Sequence, residues 1–210
     1  MIRLRTIGWI RCVCGVVALL ALLTGCEAPP KLSHLPQDGV ILAFGDSLTF
    51  GTGAQPGQGY PQVLQTLIDR TVINAGIPGE ESPQGLQRLP DLLEQYQPVL
   101  LVLCHGANDI LRKRPRQGIM DNLGKMIDLA REKKIEVVLV GVPNFGMILS
   151  TANLYPEVAK NYQVPLEGGV VAEILANNTL KADLVHPNAE GYRVFAAAIA
   201  RLLRDHGAIE

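Results

Sequence analysis

The sequence predicts an α/β fold, a mostly parallel sheet with helices on both faces. Three observations lead there. Short apolar runs alternate with stretches whose apolar residues recur at helical spacing. Val99-Leu100-Leu101-Val102-Leu103-Cys104 is apolar throughout, the pattern of a strand buried on both faces. Twenty-one glycines and 14 prolines in 210 residues mark turns between short elements. At 48% hydrophobic and 19% charged residues, the chain is long and apolar enough to bury one core. Its net charge of −1 gives no basis for binding nucleic acid or an anionic membrane patch.

The first strand covers about 40–44, where five apolar residues end at Gly45-Asp46-Ser47. Residues 50–59 form a Gly-rich loop, read either as a flexible connection or as one wall of a substrate entrance. Tyr60-Pro61 opens a helix that carries Val63, Leu64, Leu67 and Ile68 at helical spacing. A second strand at 71–74 leads into the turn-rich 75–79. A helix from about 83 to 96 buries Leu86, Leu89, Leu92 and Leu93. The strand at 99–104 follows Pro98 and leads to His105-Gly106-Ala107-Asn108-Asp109. An amphipathic helix at 117–133 precedes a fourth strand at 135–140. Residues 144–153 read as an irregular loop, 155–162 as a helix, 164–166 as a short fifth strand and 168–176 as a helix. The last helix spans about 188–204 and buries Val194, Phe195, Ala198, Ile199 and Leu202.

Four loops hold polar residues suited to chemistry. In a doubly wound sheet, loops at the carboxyl ends of strands converge on one edge. Ser47 reads either as a nucleophile facing a cleft or as part of a turn capping the next helix. A serine nucleophile needs a base, and the base needs an orienting acceptor. Of the four histidines, His34 precedes the first strand and His206 lies near the carboxyl terminus. His105 follows a buried strand and reads as a packed or hydrogen-bonded loop histidine. His186 has Asp183 three residues earlier, which reads either as an acid–base pair on one loop or as an Asp-capped turn. The Ser47 and Gly79 backbone N–H groups and the Asn108 amide are candidate donors to an oxyanion. Asp46 is expected to tie its own turn, Asp109 to cap the following one, and Cys104 to be a core thiol. Arg112-Lys113-Arg114 reads as a solvated face.

Gly45-Asp46-Ser47-Leu48 resembles the first block of the SGNH, or GDSL, hydrolases. Asn74-Ala75-Gly76-Ile77-Pro78-Gly79 resembles the second block, whose last glycine donates to the oxyanion. Gly106-Ala107-Asn108-Asp109 resembles the GxND block, and Asp183-Leu184-Val185-His186 the DxxH block. All four stand in family order across residues 40–205. Ser82-Pro83-Gln84-Gly85-Leu86-Gln87-Arg88-Leu89-Pro90 and Ile110-Leu111-Arg112 are similar to the bacterial arylesterase and acyl-CoA thioesterase/lysophospholipase branch. The resemblance implies a flavodoxin-like three-layer α/β/α sandwich on a five-stranded sheet, with no metal and no cofactor. It implies Ser47 as nucleophile, His186 as base and Asp183 as its orienting acid, with Ser47, Gly79 and Asn108 forming the oxyanion hole. The activity implied is hydrolysis of carboxylic esters or thioesters through an acyl-enzyme, on small acyl esters or lysolipids. A carbohydrate O-acetylesterase acting on envelope polysaccharide and a non-catalytic envelope-binding lipoprotein are the alternatives. Glu80-Glu81 departs from the Asp-Thr common in that branch, and Leu184 replaces a common glycine. Both sit beside the pocket, so substrate preference transfers less than mechanism. Thr49 stands where a G-x-S-x-G elbow needs its second glycine, so that motif is absent.

Arg3, Arg5 and Arg11 precede an apolar run at 12–23, the length of a signal h-region and too short to span a bilayer. Leu23-Thr24-Gly25-Cys26 resembles a bacterial lipobox; an uncleaved anchor or an ordinary signal cut nearby are the alternatives. The resemblance implies removal of 1–25, lipidation of Cys26, a tether over 26–38 and a hydrolase domain at 39–210. The domain would face the periplasm from a lipid anchor, and Glu27 after the cysteine favours the outer membrane. Cys12 and Cys14 would leave with the signal, so Cys104 would be the one free thiol and no internal disulfide would form. No protein partner is inferred.

Overall fold

The computed structural model describes residues 30–146 and 149–210. Among them the strands are β1 (Ile41–Gly45), β2 (Val72–Gly76), β3 (Leu100–Cys104), β4 (Glu136–Val140), β5 (Pro143–Asn144), β6 (Ser150–Thr151) and β7 (Leu166–Glu167). The helices are α1 (Ser47–Phe50), α2 (Tyr60–Ile68), α3 (Ser82–Tyr96), α4 (Ala107–Leu111), α5 (Arg116–Glu132), α6 (Leu154–Tyr162), α7 (Val170–Ala176) and α8 (Ala189–Asp205). The main sheet runs β2-β1-β3-β4-β7, every pair parallel, the flavodoxin-like order. β1 and β3 are buried at all five positions, because apolar side chains on both faces need cover on both faces. α2 packs with α8 and α8 with α7, while α3 packs with α5 and α5 with α6. These two groups are the outer layers of the sandwich.

The helix starts follow from local chemistry. Pro61 occupies the first turn of α2, where its missing N–H costs nothing. The Gln84 side chain accepts the Glu81 N–H at 3.2 Å at the start of α3. The Asn188 side chain accepts the Gly191 N–H at 3.0 Å at the start of α8, an ordinary N-cap.

Three details differ from the sequence expectation. Residues 144–153 are not wholly irregular, since β5 and β6 pair antiparallel within them. Short helices α1 and α4 begin within the two polar motifs after β1 and β3. Over its described part, 30–38, the segment expected to be a tether lies against the domain. Its Leu32 and Leu35 N–H groups bond to the His206 and Ala208 carbonyls at 2.9 and 2.8 Å. Leu35 is 2% exposed, and burying Leu32 and Leu35 in the core outweighs the entropy of a free chain. Ser33 N–H also reaches Glu136 at the start of β4, at 3.0 Å. The segment therefore sits at the amino-terminal edge of the sheet. Among the described residues no helix is long and apolar enough to cross a membrane.

Leu103 lies in the middle layer and is fully buried, so Leu103→Ala is expected to cost about 2–5 kcal/mol. Leu184 is 82% exposed, so Leu184→Ala should change stability by no more than roughly 0.5 kcal/mol. Urea unfolding of both variants checks this. Equal effects would contradict the burial.

Candidate active site

The site starts from a close approach. At the end of β1 the chain passes so near β3 that a Cβ on Gly45 would lie 2.0 Å from the Cys104 carbonyl oxygen and 2.4 Å from Thr49 Oγ1. Only glycine fits. Asp46 then caps α1, its Oδ1 accepting the Leu48 N–H at 3.1 Å. Ser47 is the first residue of α1, where a backbone N–H has no intrahelical acceptor.

The loop before α8 supplies the partners of Ser47. The Ala182 N–H bonds to the His186 carbonyl at 2.9 Å and closes that loop. Asp183 Oδ1 accepts the Val185 and His186 N–H groups at 2.8 and 2.9 Å. Its Oδ2 lies 2.8 Å from His186 Nδ1. His186 Nε2 lies 3.0 Å from Ser47 Oγ. Burial pushes the Asp183 carboxyl up, but hydrogen bonds from the imidazole and the two backbone donors outweigh it and hold the group below the ordinary aspartate value. An ionised carboxylate only accepts, so Nδ1 carries the imidazole proton and Nε2 is free to accept from the serine hydroxyl.

The Gly-rich loop braces this arrangement and is not a flexible connection. A Cβ on Gly53, at φ +96°, would lie 2.4 Å from the Pro187 carbonyl oxygen, and the Tyr192 hydroxyl donates to the Thr52 carbonyl at 2.8 Å. The outer side of the loop lines a separate groove of about 350 Å³ with Gln62 and Asn74.

Gly79 and Asn108 come from the neighbouring strand ends. Gly79 lies in the loop after β2, which the Ile77 N–H ties to the Gly45 carbonyl at 3.1 Å. Asn108 is in α4, just past β3, and its Nδ2 donates to the Glu80 carbonyl at 3.0 Å. The donors after β1, β2 and β3 therefore stand on adjacent strands, and a serine hydroxyl is linked through an imidazole to a carboxylate beside them. Among the described residues, no cluster of three or more His, Cys, Asp or Glu side chains could hold a metal. Cys26 lies outside the described residues.

Residues 43–194 match the sequence profile of the GDSL-like lipase/acylhydrolase family. The chain belongs to this family. It is 33% identical over 177 residues to an arylesterase of Vibrio mimicus, covering 79% of this chain and 88% of that one. It is 31% identical over 172 residues to the thioesterase 1/protease 1/lysophospholipase L1 of Escherichia coli, covering 78% and 83%. Among solved structures, the psychrotrophic esterase EstA of a Pseudoalteromonas species superposes with a TM-score of 0.72 at 27% identity, covering 80% of this chain and 98% of that one. The chain is thus an SGNH-type carboxylic ester hydrolase.

Beside His186 this GDSL hydrolase has an open groove of about 580 Å³, lined by Leu111, Phe145, Leu149, Leu175, Leu184 and Val185. Cys104 is a fully buried thiol. Arg112 and Arg114 are exposed and ion-paired with Glu81. Asp109 does not cap its own turn. Its buried carboxylate accepts the Ser82 N–H at 2.8 Å and the Ser82 hydroxyl at 2.7 Å, so it caps α3 from across the site. His105 is hydrogen-bonded, as expected of a loop histidine, with Glu80 3.1 Å from its Nε2. Glu80 and Arg88, which hold the site through their ion pair, are not marked by any local motif in the sequence. The one cue was a pair of carboxylates directly after Gly79.

Asp46 is fully buried, and its Oδ2 has no hydrogen-bond partner among the described residues. Burial raises its pKa above the ordinary aspartate value despite opposing contributions from His105 and backbone donors. A carboxyl whose folded pKa is raised favours the folded state below its unfolded pKa and loses that contribution as pH climbs through the folded value. Asp46→Asn, which keeps the Oδ1 acceptor, should therefore gain thermal stability relative to the parent between about pH 4 and pH 8. Melting curves at both pH values check the sign, and a relative loss over that interval would contradict it.

Proposed function

We propose that Ser47 is the nucleophile of this hydrolase, His186 its general base and Asp183 the group that orients the imidazole. The supporting observation is the unbroken hydrogen-bond chain from Ser47 Oγ through His186 to Asp183, at 3.0 and 2.8 Å. Ser47 Oγ attacks the acyl carbonyl carbon as its proton passes to His186 Nε2. The negative charge on the carbonyl oxygen is met by the Ser47 and Gly79 N–H groups and the second Nδ2 hydrogen of Asn108. Collapse of the tetrahedral adduct breaks the bond to the alcohol or thiol, which leaves with the proton from His186. Water then attacks the acyl-enzyme, losing its proton to the same nitrogen, and the carboxylic acid departs as the Ser47 hydroxyl reforms.

The apolar groove supports an acyl chain longer than acetyl. An acetyl group would leave Leu111, Phe145 and Leu184 uncovered, and apolar contact is what such a surface offers. Medium-chain carboxylic esters and acyl thioesters are the substrate class this favours. The names of the related arylesterase and thioesterase/lysophospholipase agree with an ester or thioester substrate. Among the described residues Lys181 is the one charged side chain lining this groove, and the mostly apolar lining favours an acyl chain over a sugar. Ser47→Ala should lower p-nitrophenyl ester turnover by about 10³–10⁴-fold or more. On an acetyl-to-decanoyl series the parent should peak beyond acetyl. Near-parental turnover by Ser47→Ala would remove the mechanism, and acetyl-only activity would remove the substrate class.

We also propose that Cys26 is lipidated and holds the hydrolase on the periplasmic face of the cell envelope. The support is the Leu23-Thr24-Gly25-Cys26 motif together with the seating of 30–38. Four peptide units separate Cys26 from Pro30, and at no more than about 3.6 Å each they span at most roughly 14 Å. Pro30 accepts a hydrogen bond from His206, beside the amino-terminal edge of the sheet. A lipid at Cys26 would keep that edge near the bilayer, with Ser47 opening at the opposite edge. Metabolic labelling with an alkynyl fatty acid should mark the parent and not Cys26→Ser. Equal labelling of both would overturn the anchor.

A further inference from the structure

We propose that Glu80 is the positioning residue of the oxyanion hole, fixing the Gly79 N–H and the Asn108 amide relative to each other. The inference rests on the reading of Ser47, Gly79 and Asn108 as the oxyanion donors.

Gly79 has no side chain with which to fix its own direction. It sits at φ +79°, and a Cβ there would meet nothing within 4 Å. Its carbonyl accepts from Arg112 Nη1 at 3.1 Å, a bond made by an exposed side chain. The next residue has the opposite character. The Glu80 side chain is 6% exposed and accepts from two cations or donors at once. Arg88 Nε lies 2.7 and 3.0 Å from its two carboxylate oxygens, and Arg88 Nη2 lies 2.7 Å from Oε2. His105 Nε2 lies 3.1 Å from the same Oε2. The Gly106 N–H donates to His105 Nδ1 at 2.9 Å, so Nδ1 is an acceptor and the ring proton is on Nε2, aimed at Glu80. Burial raises the Glu80 carboxyl, but the bonds from His105 and Arg88 outweigh it and hold it below the ordinary glutamate value.

Those two partners are themselves fixed to the sheet. Arg88 Nη2 also donates to the Gly45 carbonyl at 3.2 Å and the Ala75 carbonyl at 2.8 Å, the ends of β1 and β2. Its guanidinium lies 4.2 Å from the Phe44 ring centroid. His105 follows β3; its carbonyl accepts from the Tyr155 hydroxyl at 2.8 Å, and its ring packs on α3 so closely that a Cβ on Gly85 would lie 2.3 Å from Nε2. Glu80 thus takes its position from three strand ends. It passes that position on through its backbone: one peptide bond joins it to Gly79, and its carbonyl accepts the Asn108 amide at 3.0 Å. One Asn108 Nδ2 hydrogen is used there, which turns the other toward the substrate. No atom of Glu80 needs to touch the substrate.

The test measures kcat and KM on a p-nitrophenyl ester, with inhibition by an alkylboronic acid as a reading of tetrahedral-adduct affinity. Glu80→Ala should lower kcat about 10²-fold, as a misplaced donor does, with KM within about twofold and boronate affinity falling in step with kcat/KM. Glu80→Gln keeps an acceptor for Arg88 and should recover most of that loss; Glu80→Met, of similar size and without an acceptor, should show the same loss as Glu80→Ala and carries the test if Glu80→Ala does not fold. Combined with Asn108→Ala, the Glu80 substitution should cost clearly less than it does alone, since the part of its effect carried by Asn108 is already gone and only the part carried by Gly79 is left. Full additivity, or a rise in KM at unchanged kcat, would overturn the proposal. If Asn108→Ala alone leaves kcat unchanged, the oxyanion reading fails instead, and the positioning role falls with it.

Discussion

The site depends on how closely β1 can approach β3. At Gly45 the backbone of one strand lies where any side chain would strike the carbonyl of the other. That contact keeps the two strands in register to their last residues, Gly45 opposite Cys104, with Gly76 opposite Gly45 on the other side. Three loops therefore leave the sheet side by side, and they carry Ser47, Gly79 and Asn108. The fourth loop, with Asp183 and His186, comes from the far end of the chain. It is braced from below by the Gly-rich loop at Gly53.

Polar groups behind the pocket are handled in two ways. Around Glu80, each buried charge meets an opposite charge or a donor, and Arg88 and His105 tie it to the backbone of three strands. A network satisfied in this way is rigid, because any one member can leave only by stranding the others. Asp46 is different. One of its oxygens caps α1 and the other is buried without a partner among the described residues, a local cost that the capped turn beneath Ser47 retains. The contrast separates a scaffold around Gly79 and Asn108 from the turn that carries Ser47.

Much of this was legible in the sequence because the sheet is parallel and buried. Runs such as Leu100-Leu101-Val102-Leu103 have one stable placement, in the middle layer, and turn residues follow them closely. The Asp183–His186 pair was legible because three residues of one loop suffice to join them. Glu80 was not, because its partners Arg88 and His105 are 8 and 25 residues away and meet it only when α3 crosses the sheet. Asp109 was misassigned for the same reason: its acceptor role spans 27 residues to Ser82, while local rules see only its own turn. Residues 30–38 looked like a linker because their prolines and polar residues hide two leucines that join the core, and their backbone partners, His206 and Ala208, lie at the other end of the chain.

The central claim is that Ser47 is activated by His186. Its most direct test is to treat the protein with a fluorophosphonate and map the adduct by peptide mass spectrometry. The account predicts a single adduct, on the peptide containing Ser47, abolished in Ser47→Ala and strongly slowed in His186→Ala. Adduct formation on another residue, or an undiminished rate in His186→Ala, would contradict it.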